Sequence, residues 1–297
     1  MFFTNIESII YMIAKIINCK FIADDILSKV IKKLSFYQEN KIRSPRLDVI
    51  LVGDDIASNL YVKNKYLVCK DIGIICNIHK FSNFVSEKEL LFLIDKLNNN
   101  INVDGILIQL PLPKIINTVK ILENISIFKD VDGLNPYNIG CLYFNKSKLR
   151  PCASSGVISI IKYLNINTYG LNVVIVGASD IVGKPIGIEL LLIGCTVTIT
   201  NRYTNNLRFY LKNADLLIVA IGKSCFIHGS WIKSGAIVID VGINLLDNGK
   251  IVGDVDFISA LYRASHITPV PGGVGVITVA TVMKNTLIAS KYNLINM

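Results

Sequence analysis

Short apolar runs of the length of a buried strand recur along the whole chain and alternate with segments of helical periodicity. In the first half the strand-like runs are 47–52, 74–79 and 104–113, and the helical patterns are 23–36, a stretch through Tyr61 and Lys65, and 86–97. In the second half the strand-like runs are 172–177, 195–200, 214–222, 235–242 and 266–270. Ser86 and Glu89 have the spacing of a capping box at the start of the third helix. Because alternating strands and helices build parallel sheets covered by helices, the sequence predicts an α/β fold.

Regular periodicity lapses between residues 130 and 156, where Gly, Pro and Asn gather. We place a domain boundary near residue 150, so that the chain forms two α/β domains with parallel sheets and a cleft between them. The second domain, 151–277, is predicted to be Rossmann-like and to bind a dinucleotide. The first domain is predicted to comprise 12–150 and the C-terminal segment 278–297, because the helical pattern at the C terminus is expected to return to it.

The composition argues against several classes of protein. Hydrophobic residues make up 52% of the 297 residues, which is enough for two buried cores. No stretch reaches the roughly 18 uninterrupted apolar residues of a spanning helix, and no cationic start or cleavage site marks a signal peptide. The seven cysteines include no C-x-x-C pair and no nearby His at zinc spacing. We therefore expect a cytoplasmic protein with reduced thiols, without a metal or a membrane partner, and with residues 1–11 as an extension before Met12.

The formal net charge of +9 could favour an anionic ligand or nucleic acid. However, only six of the 31 basic residues are Arg, and the Lys residues are scattered through a chain rich in Ile and Asn. This pattern indicates compositional drift. We expect no nucleic-acid partner.

A glycine-containing turn follows the first strand of the second domain and leads into a helical pattern. Its candidate cofactor-binding residues are Gly177, Ala178, Ser179, Gly183, Lys184 and Pro185. Such a turn lets backbone amides approach a phosphate, and the start of the helix adds partial positive charge. Pro185 suits the first helical turn. The spacing is G-x-S-x-x-x-G rather than G-x-G-x-x-G, so a purely structural turn remains an alternative.

The end of the next strand indicates which dinucleotide would bind. NAD sites usually place an acid there for the ribose hydroxyls, but this strand ends Thr200-Asn201-Arg202. Arg202 could pair with a 2′-phosphate, and Lys184 is a second candidate, so NADP is favoured over NAD. The alternative is that Arg202 is a solvated loop residue.

Polar residues of the first domain fall where open α/β sheets build sites. Ser58, Tyr61 and Lys65 have the spacing of one helix face, Gln109 ends an apolar strand, and Asp132 lies in KDVDG. By themselves these residues are more typical of surface, packing and turn positions than of a site.

Several blocks of the sequence together resemble a known family. The blocks are VGDDIASNLYVKNKYLVCKDIGI, DGILIQLPLP, KDVDGLNPYNIG, VVIVGASDIVGKP, ELLLIGCTVTIT, GAIVIDVGIN and ITPVPGGVG. In order and spacing they resemble the bifunctional methylenetetrahydrofolate dehydrogenase/cyclohydrolase family, from about Met12 to Asn285. The resemblance implies oxidation of methylene-tetrahydrofolate with NADP and hydrolysis of the methenyl product to formyl-tetrahydrofolate.

The resemblance also implies residue roles. Lys65 would be the catalytic lysine at the one-carbon bridge, Gln109 would orient it, Tyr61 would stack on the folate and Asp132 would accept hydrogen bonds from the pterin. Further implied residues are Pro271, Gly272 and Gly273 for the substrate and Ile243 for the cofactor. A homodimer is implied, and the number of glutamates on the folate is left open.

The chain departs from the family pattern at several positions that we expect near the cleft, which are Asn135, Cys141, Ala153, Ser154, Val276 and Ile277. We expect them to affect rate and affinity rather than the type of reaction. Two other functions remain open, a single-activity NAD(P) dehydrogenase of this fold and a decayed, non-catalytic binding protein.

Overall fold

The computed structural model describes residues 13–295, so the proposed extension and start lie outside the described residues. Its strands are β1 (Lys15–Ile16), β2 (Arg46–Val52), β3 (Ile75–Phe81), β4 (Gly105–Ile108), β5 (Asn172–Val176), β6 (Thr196–Thr200), β7 (Leu216–Val219), β8 (Ile237–Asp240), β9 (Asn244–Leu245), β10 (Ile251–Val252) and β11 (His266–Ile267). Its α-helices are α1 (Cys19–Glu39), α2 (Ile56–Ile72), α3 (Glu87–Asn99), α4 (Thr118–Glu123), α5 (Pro136–Tyr143), α6 (Cys152–Tyr163), α7 (Gly183–Leu192), α8 (Leu207–Leu211), α9 (Phe257–Leu261) and α10 (Val274–Ile295). None of the helices between residues 13 and 295 is long and apolar enough to cross a membrane.

Two parallel sheets organise these elements, which confirms the predicted α/β fold. The first sheet has the strand order β3-β2-β4, and the second has the order β1-β11-β8-β7-β5-β6. All strand pairs within these two sheets are parallel, and β9 and β10 form a separate antiparallel pair.

Both faces of the second sheet are buried along its central strands β5, β7 and β8. Along β5, Val173 and Ile175 belong to one apolar cluster, and Val174 and Val176 belong to another on the opposite face. Side chains alternate between the two faces of a strand, so a strand covered on both sides reads as an unbroken apolar run. This is why NVVIV could be recognised as a strand.

Helices α1 and α10 pack against each other, and both contribute to the cores of both domains. In α10, Ile277 and Ala280 lie in the core of the second sheet, whereas Val282 and Met283 lie in the core of the first sheet. In α1, Ile22 likewise lies in the core of the second sheet and Val30 in the core of the first sheet. Helix α10 therefore contributes to the cores of both sheets.

Of two local features, the capping box of α3 and the strand β1, the sequence predicted only the first. Ser86 and Glu89 form the expected capping box, with Ser86 N to Glu89 Oε2 at 2.9 Å and Glu89 N to Ser86 Oγ at 3.2 Å. The strand β1 was not predicted. It has only two residues, both exposed, and it pairs with β11 at the edge of the second sheet, so no apolar run marks it.

Candidate active site in the cleft

Helix α2 and strand β4 carry two candidate residues to the same edge of the first sheet. Helix α2 starts just after β2, where Asp55 caps it by accepting a hydrogen bond from Ser58 N at 2.7 Å. Gln109 directly follows β4, and its backbone N–H donates to Ile50 O at 2.9 Å. The strand ends and the helix face therefore bring Lys65 and Gln109 together.

The Lys65 ammonium donates to Gln109 Oε1 at 2.7 Å. The other end of the Gln109 amide, Nε2, donates to Leu110 O at 2.8 Å, and this fixes which atom faces the lysine. Lys65 is only 6% exposed. A buried amine with one polar partner is held in a single orientation.

Burial lowers the pKa of the Lys65 ammonium, whereas the negative charge of Asp132 opposes that shift. Burial likewise raises the pKa of the Asp132 carboxyl, and Lys65 opposes that shift. The thiol of Cys152 has a pKa raised well above its usual value, chiefly by burial, so it stays neutral beside both groups. The pKa values of Lys65 and Asp132 therefore depend on each other, and burial disfavours the charged form of both groups.

A cavity of about 320 Å³ is lined by all four catalytic candidates, Tyr61, Lys65, Gln109 and Asp132. Its first-domain wall includes Ser58, Tyr61, Lys65, Gln109, Asp132 and Thr278, and its second-domain wall includes Ala153, Val182, Val241 and Ile243. The cavity lies between the two sheets, as expected for a cleft. Neutral and apolar residues face the polar set across it, an arrangement that suits a flat organic ligand.

A second cavity of about 520 Å³ adjoins the first, since Tyr61 and Ile243 line both. The predicted substrate residues Pro271, Gly272 and Gly273 line only this larger cavity. They therefore lie beyond Tyr61 rather than beside Lys65. The family resemblance implied that these residues bind the substrate, but it did not show in which of the two cavities beside Tyr61 they lie.

The turn before α7 is too tight for larger residues at its glycines. A Cβ on Gly183 would lie 1.9 Å from Gly177 O, and a Cβ on Gly177, whose φ is +120°, would lie 2.1 Å from Ala220 O. Ser179 Oγ accepts from Val182 N at 3.2 Å and Gly183 N at 3.3 Å. The exposed Lys184 forms an ion pair with Asp180. The predicted phosphate turn is thus a close backbone turn with an exposed cation.

Arg202 lies beside this turn. The end of β6 is joined to it through Gly177 N, which donates to Thr200 O at 3.1 Å. The Arg202 guanidinium stacks on the Tyr203 ring, 4.8 Å from its centroid, and donates to the Tyr203 hydroxyl at 2.6 Å. An exposed, stacked guanidinium where NAD sites carry an acid fits a 2′-phosphate.

Sequence reasoning missed two buried carboxylates that hold the neighbouring loops. Asp254 accepts from the backbone N–H groups of Ile221, Gly222 and Lys223 at 2.6, 3.0 and 2.9 Å. Asp240 accepts from Val255 N at 2.8 Å, and burial raises its pKa to about 7. The only signal in the sequence was an acid within each of two strongly apolar segments.

The departures from the family pattern are spread over several places. Ala153 lines the smaller cavity and Val276 the larger one. Asn135 does not face the cleft. It caps α5, and its buried amide donates to Ile125 O at 2.9 Å. Cys141 lines a separate cavity beside Tyr292.

Two family models match the chain. The catalytic domain of tetrahydrofolate dehydrogenase/cyclohydrolase matches residues 17–132, and the NAD(P)-binding domain of the same family matches residues 151–294.

Solved structures are similar over nearly the whole chain. The bifunctional enzyme FolD, a methylenetetrahydrofolate dehydrogenase/cyclohydrolase from Campylobacter jejuni, is 42% identical, with 94% of this chain and 99% of that chain covered and a TM-score of 0.89. The Trypanosoma brucei methylenetetrahydrofolate dehydrogenase-cyclohydrolase, solved with NADP and an inhibitor, is 32% identical, with 95% and 99% covered and a TM-score of 0.91. The bifunctional enzyme of Thermoplasma acidophilum is 33% identical, with 95% and 100% covered and a TM-score of 0.86.

The resemblance seen in the sequence motifs is thus confirmed, and the chain belongs to the tetrahydrofolate dehydrogenase/cyclohydrolase family, with the catalytic and NAD(P)-binding domains on one polypeptide.

Proposed function

We propose that the protein oxidises 5,10-methylenetetrahydrofolate to 5,10-methenyltetrahydrofolate with NADP and hydrolyses this product to 10-formyltetrahydrofolate. The observation that carries the proposal is the buried Lys65–Gln109 pair, which shares one cavity with Tyr61 and Asp132 and faces the second domain across it. A single cavity can hold one folate for both reactions.

In this proposal Lys65 serves the hydrolysis. Water that attacks the methenyl carbon must lose a proton, and a base is most effective when its pKa lies near the working pH. Burial lowers the pKa of Lys65 in that direction, and an approaching cationic substrate disfavours the ammonium form further. Gln109 Oε1 holds the amine in place at 2.7 Å. In a competing version Lys65 stays protonated and stabilises charge.

Asp132 and Tyr61 orient the folate. The Asp132 carboxylate offers two acceptor oxygens to neighbouring N–H donors of the pterin, and the Tyr61 ring offers a flat face to stack on. A Cβ on Gly275 would lie only 3.0 Å from the Tyr61 hydroxyl, so the backbone of α10 limits how far this ring can move. This close approach supports a fixed stacking position.

The second domain holds the cofactor through the turn from Gly177 to Pro185, through Arg202 at the 2′-phosphate and through Ile243, which lines both cavities. Bound NADP supplies a hydride acceptor. The protein contributes position, because hydride transfer requires the methylene carbon and the nicotinamide to be held in contact and needs no base at that carbon. We assign folate binding to 12–150 with 278–297, and cofactor binding to 151–277.

We further propose that the protein acts as a homodimer. Strand β6 ends the second sheet, so one of its edges is open to pairing, and Ile199 on it is 39% exposed and the nearby Leu191 is 57% exposed. A dimeric mass by light scattering at micromolar concentration is expected, and a monomeric mass would contradict the proposal.

Two further features concern substrate and location. Lys20 lines the larger cavity next to Tyr61 and could pair with carboxylates of a polyglutamylated folate. All seven cysteines are free, which supports a reducing compartment such as the cytoplasm.

One assay tests the proposed activity against both alternatives. The protein is incubated with methylenetetrahydrofolate and either NADP or NAD, while reduced cofactor and methenyl absorbance are recorded. A bifunctional enzyme forms reduced cofactor with little accumulated methenyl product. A single-activity dehydrogenase accumulates methenyl-tetrahydrofolate up to its slow spontaneous hydrolysis, and a non-catalytic protein produces neither signal.

A further inference from the structure

Asn285 lies on α10, outside the cleft cavities, and is only 4% exposed. Its side-chain nitrogen donates to Val131 O at 2.9 Å and Arg150 O at 3.0 Å, and it lies 3.4 Å from the sulfur of Cys152. One amide thus binds two chain segments that are distant in sequence. The first segment carries Asp132, and the second leads into α6.

These two segments are also bonded to each other. Cys152 N donates to Asp132 O at 3.2 Å, and the Cys152 thiol donates to Val131 O at 3.2 Å. A Cβ on Gly133 would lie 2.5 Å from the carbonyl carbon of Arg150, so the segments are in close contact on the other side of Asp132 as well. The backbone of Asp132 is therefore fixed on both sides, and the bonds converge on Asn285 and Cys152.

The Asp132 carboxylate itself has the Cys152 thiol as a hydrogen-bond partner, and its short side chain otherwise reaches only as far as the backbone position allows. A small displacement of residues 131–132 would move the carboxylate relative to Lys65 by a similar amount. Misplacement by about 1 Å can cost on the order of a hundredfold in rate or affinity.

We propose that Asn285 is a positioning residue that holds Asp132 at the distance from Lys65 that folate binding requires. The proposal rests on the proposed function, in which Asp132 binds the pterin. Asn285 touches neither substrate nor cofactor and acts only through the two segments it joins. We expect its contribution on the folate side of the cleft, because Val131 directly precedes Asp132 and neither of its carbonyl partners belongs to the turn from Gly177 to Pro185.

Asn285→Ala should raise the KM for methylenetetrahydrofolate by about 10- to 100-fold while the KM for NADP changes less than about threefold. The matched control is Asn293→Ala on the same helix. Asn293 also donates two hydrogen bonds, to Val103 O and Asp104 Oδ1, both at 3.0 Å, but these lie away from the cleft. Both variants lose hydrogen bonds of α10, so a thermal melt should show that both are destabilised, whereas only Asn285→Ala should change the folate KM.

A double-mutant cycle with Asp132→Asn tests whether Asn285 acts through Asp132. Groups that act through one another give non-additive effects, so the double variant should be impaired much less than the product of the two single effects. Additive effects, an unchanged folate KM in folded Asn285→Ala, or an equal rise in Asn293→Ala would each overturn the inference. Should Asn285→Ala not fold, Asn285→Ser, which keeps a shorter donor, is expected to show the same selective rise in folate KM.

The cycle also separates this inference from the function on which it rests. If Asn285→Ala has an unchanged folate KM while Asp132→Asn has a raised one, only the positioning role of Asn285 is overturned. A normal folate affinity in Asp132→Asn overturns the pterin role of Asp132 and, with it, the positioning role of Asn285.

Discussion

Replacing Lys65 by Met should nearly abolish cyclohydrolase activity while part of the dehydrogenase activity persists. Met preserves the length and apolar packing of a side chain that is 6% exposed, but removes the amine that donates to Gln109. A positioned base contributes roughly 10²- to 10⁴-fold to the rate of a proton-transfer step, so the cyclohydrolase rate should fall by about that factor. Oxidation of the methylene carbon needs no base and should lose only what is due to altered binding.

The pH profile adds a second test. An unperturbed lysine is neutral in roughly one molecule in 2,500 at pH 7, and each unit by which burial lowers the pKa raises that fraction about tenfold. Because burial lowers the pKa of Lys65, cyclohydrolase kcat should rise with pH and level off below the ordinary range of a lysine. Asp132→Asn removes the charge that opposes this shift, so the rise should move to lower pH.

The assay is loss of absorbance of isolated methenyl-tetrahydrofolate, with Lys63→Met as the control. Lys63 lies on the same helix but is exposed, so its loss should leave both activities intact. Lys65→Arg distinguishes base from stabiliser, since a permanently protonated guanidinium would retain much of the hydrolysis only if charge is what matters. Full cyclohydrolase activity in Lys65→Met would refute both versions.

Three further outcomes are expected. Arg202→Ala should weaken NADP binding by roughly tenfold to a hundredfold and NAD binding far less. The KM for each cofactor measures this, with Arg208→Ala as the control. Equal effects on both cofactors would show that Arg202 does not bind the 2′-phosphate. Asp132→Ala should impair both reactions through folate affinity, more than Asp132→Asn, and an unchanged folate Kd would contradict its role. The pKa of Asp240 is raised to about 7 in the folded protein, so folding takes up a proton between about pH 4 and 7. The contribution of this carboxyl to the free energy of unfolding therefore falls as the pH rises through that window, by on the order of a few kcal/mol. Thermal melts from pH 5 to 8 should show a smaller decline in Asp240→Asn, and an identical slope would exclude Asp240 as its source.

The sequence predicted the fold because the central strands of both sheets are apolar on both faces. The proximity of Lys65 and Gln109 could also be expected, since helix spacing and a strand end place both at one sheet edge. Tertiary bonds such as those of Asn285 and Asp254 left no comparable signal. An Asn in a helix looks the same whether its amide faces water or two distant carbonyls, and the choice depends on packing between elements far apart in sequence. For the same reason, the family resemblance implied that Pro271 contacts the substrate without showing on which side of Tyr61 it would lie.

The pairing of α1 with α10 also constrains the order in which the protein can fold during synthesis. Each domain core contains residues from both helices, and α10 follows every other element described above. Neither core can be completed until α10 has emerged from the ribosome, although domains generally fold as units from the N terminus. Nascent chains stalled before α10 should therefore remain sensitive to protease in both domains, and release of α10 should protect both together. Contacts between helices that lie this far apart in sequence also slow folding.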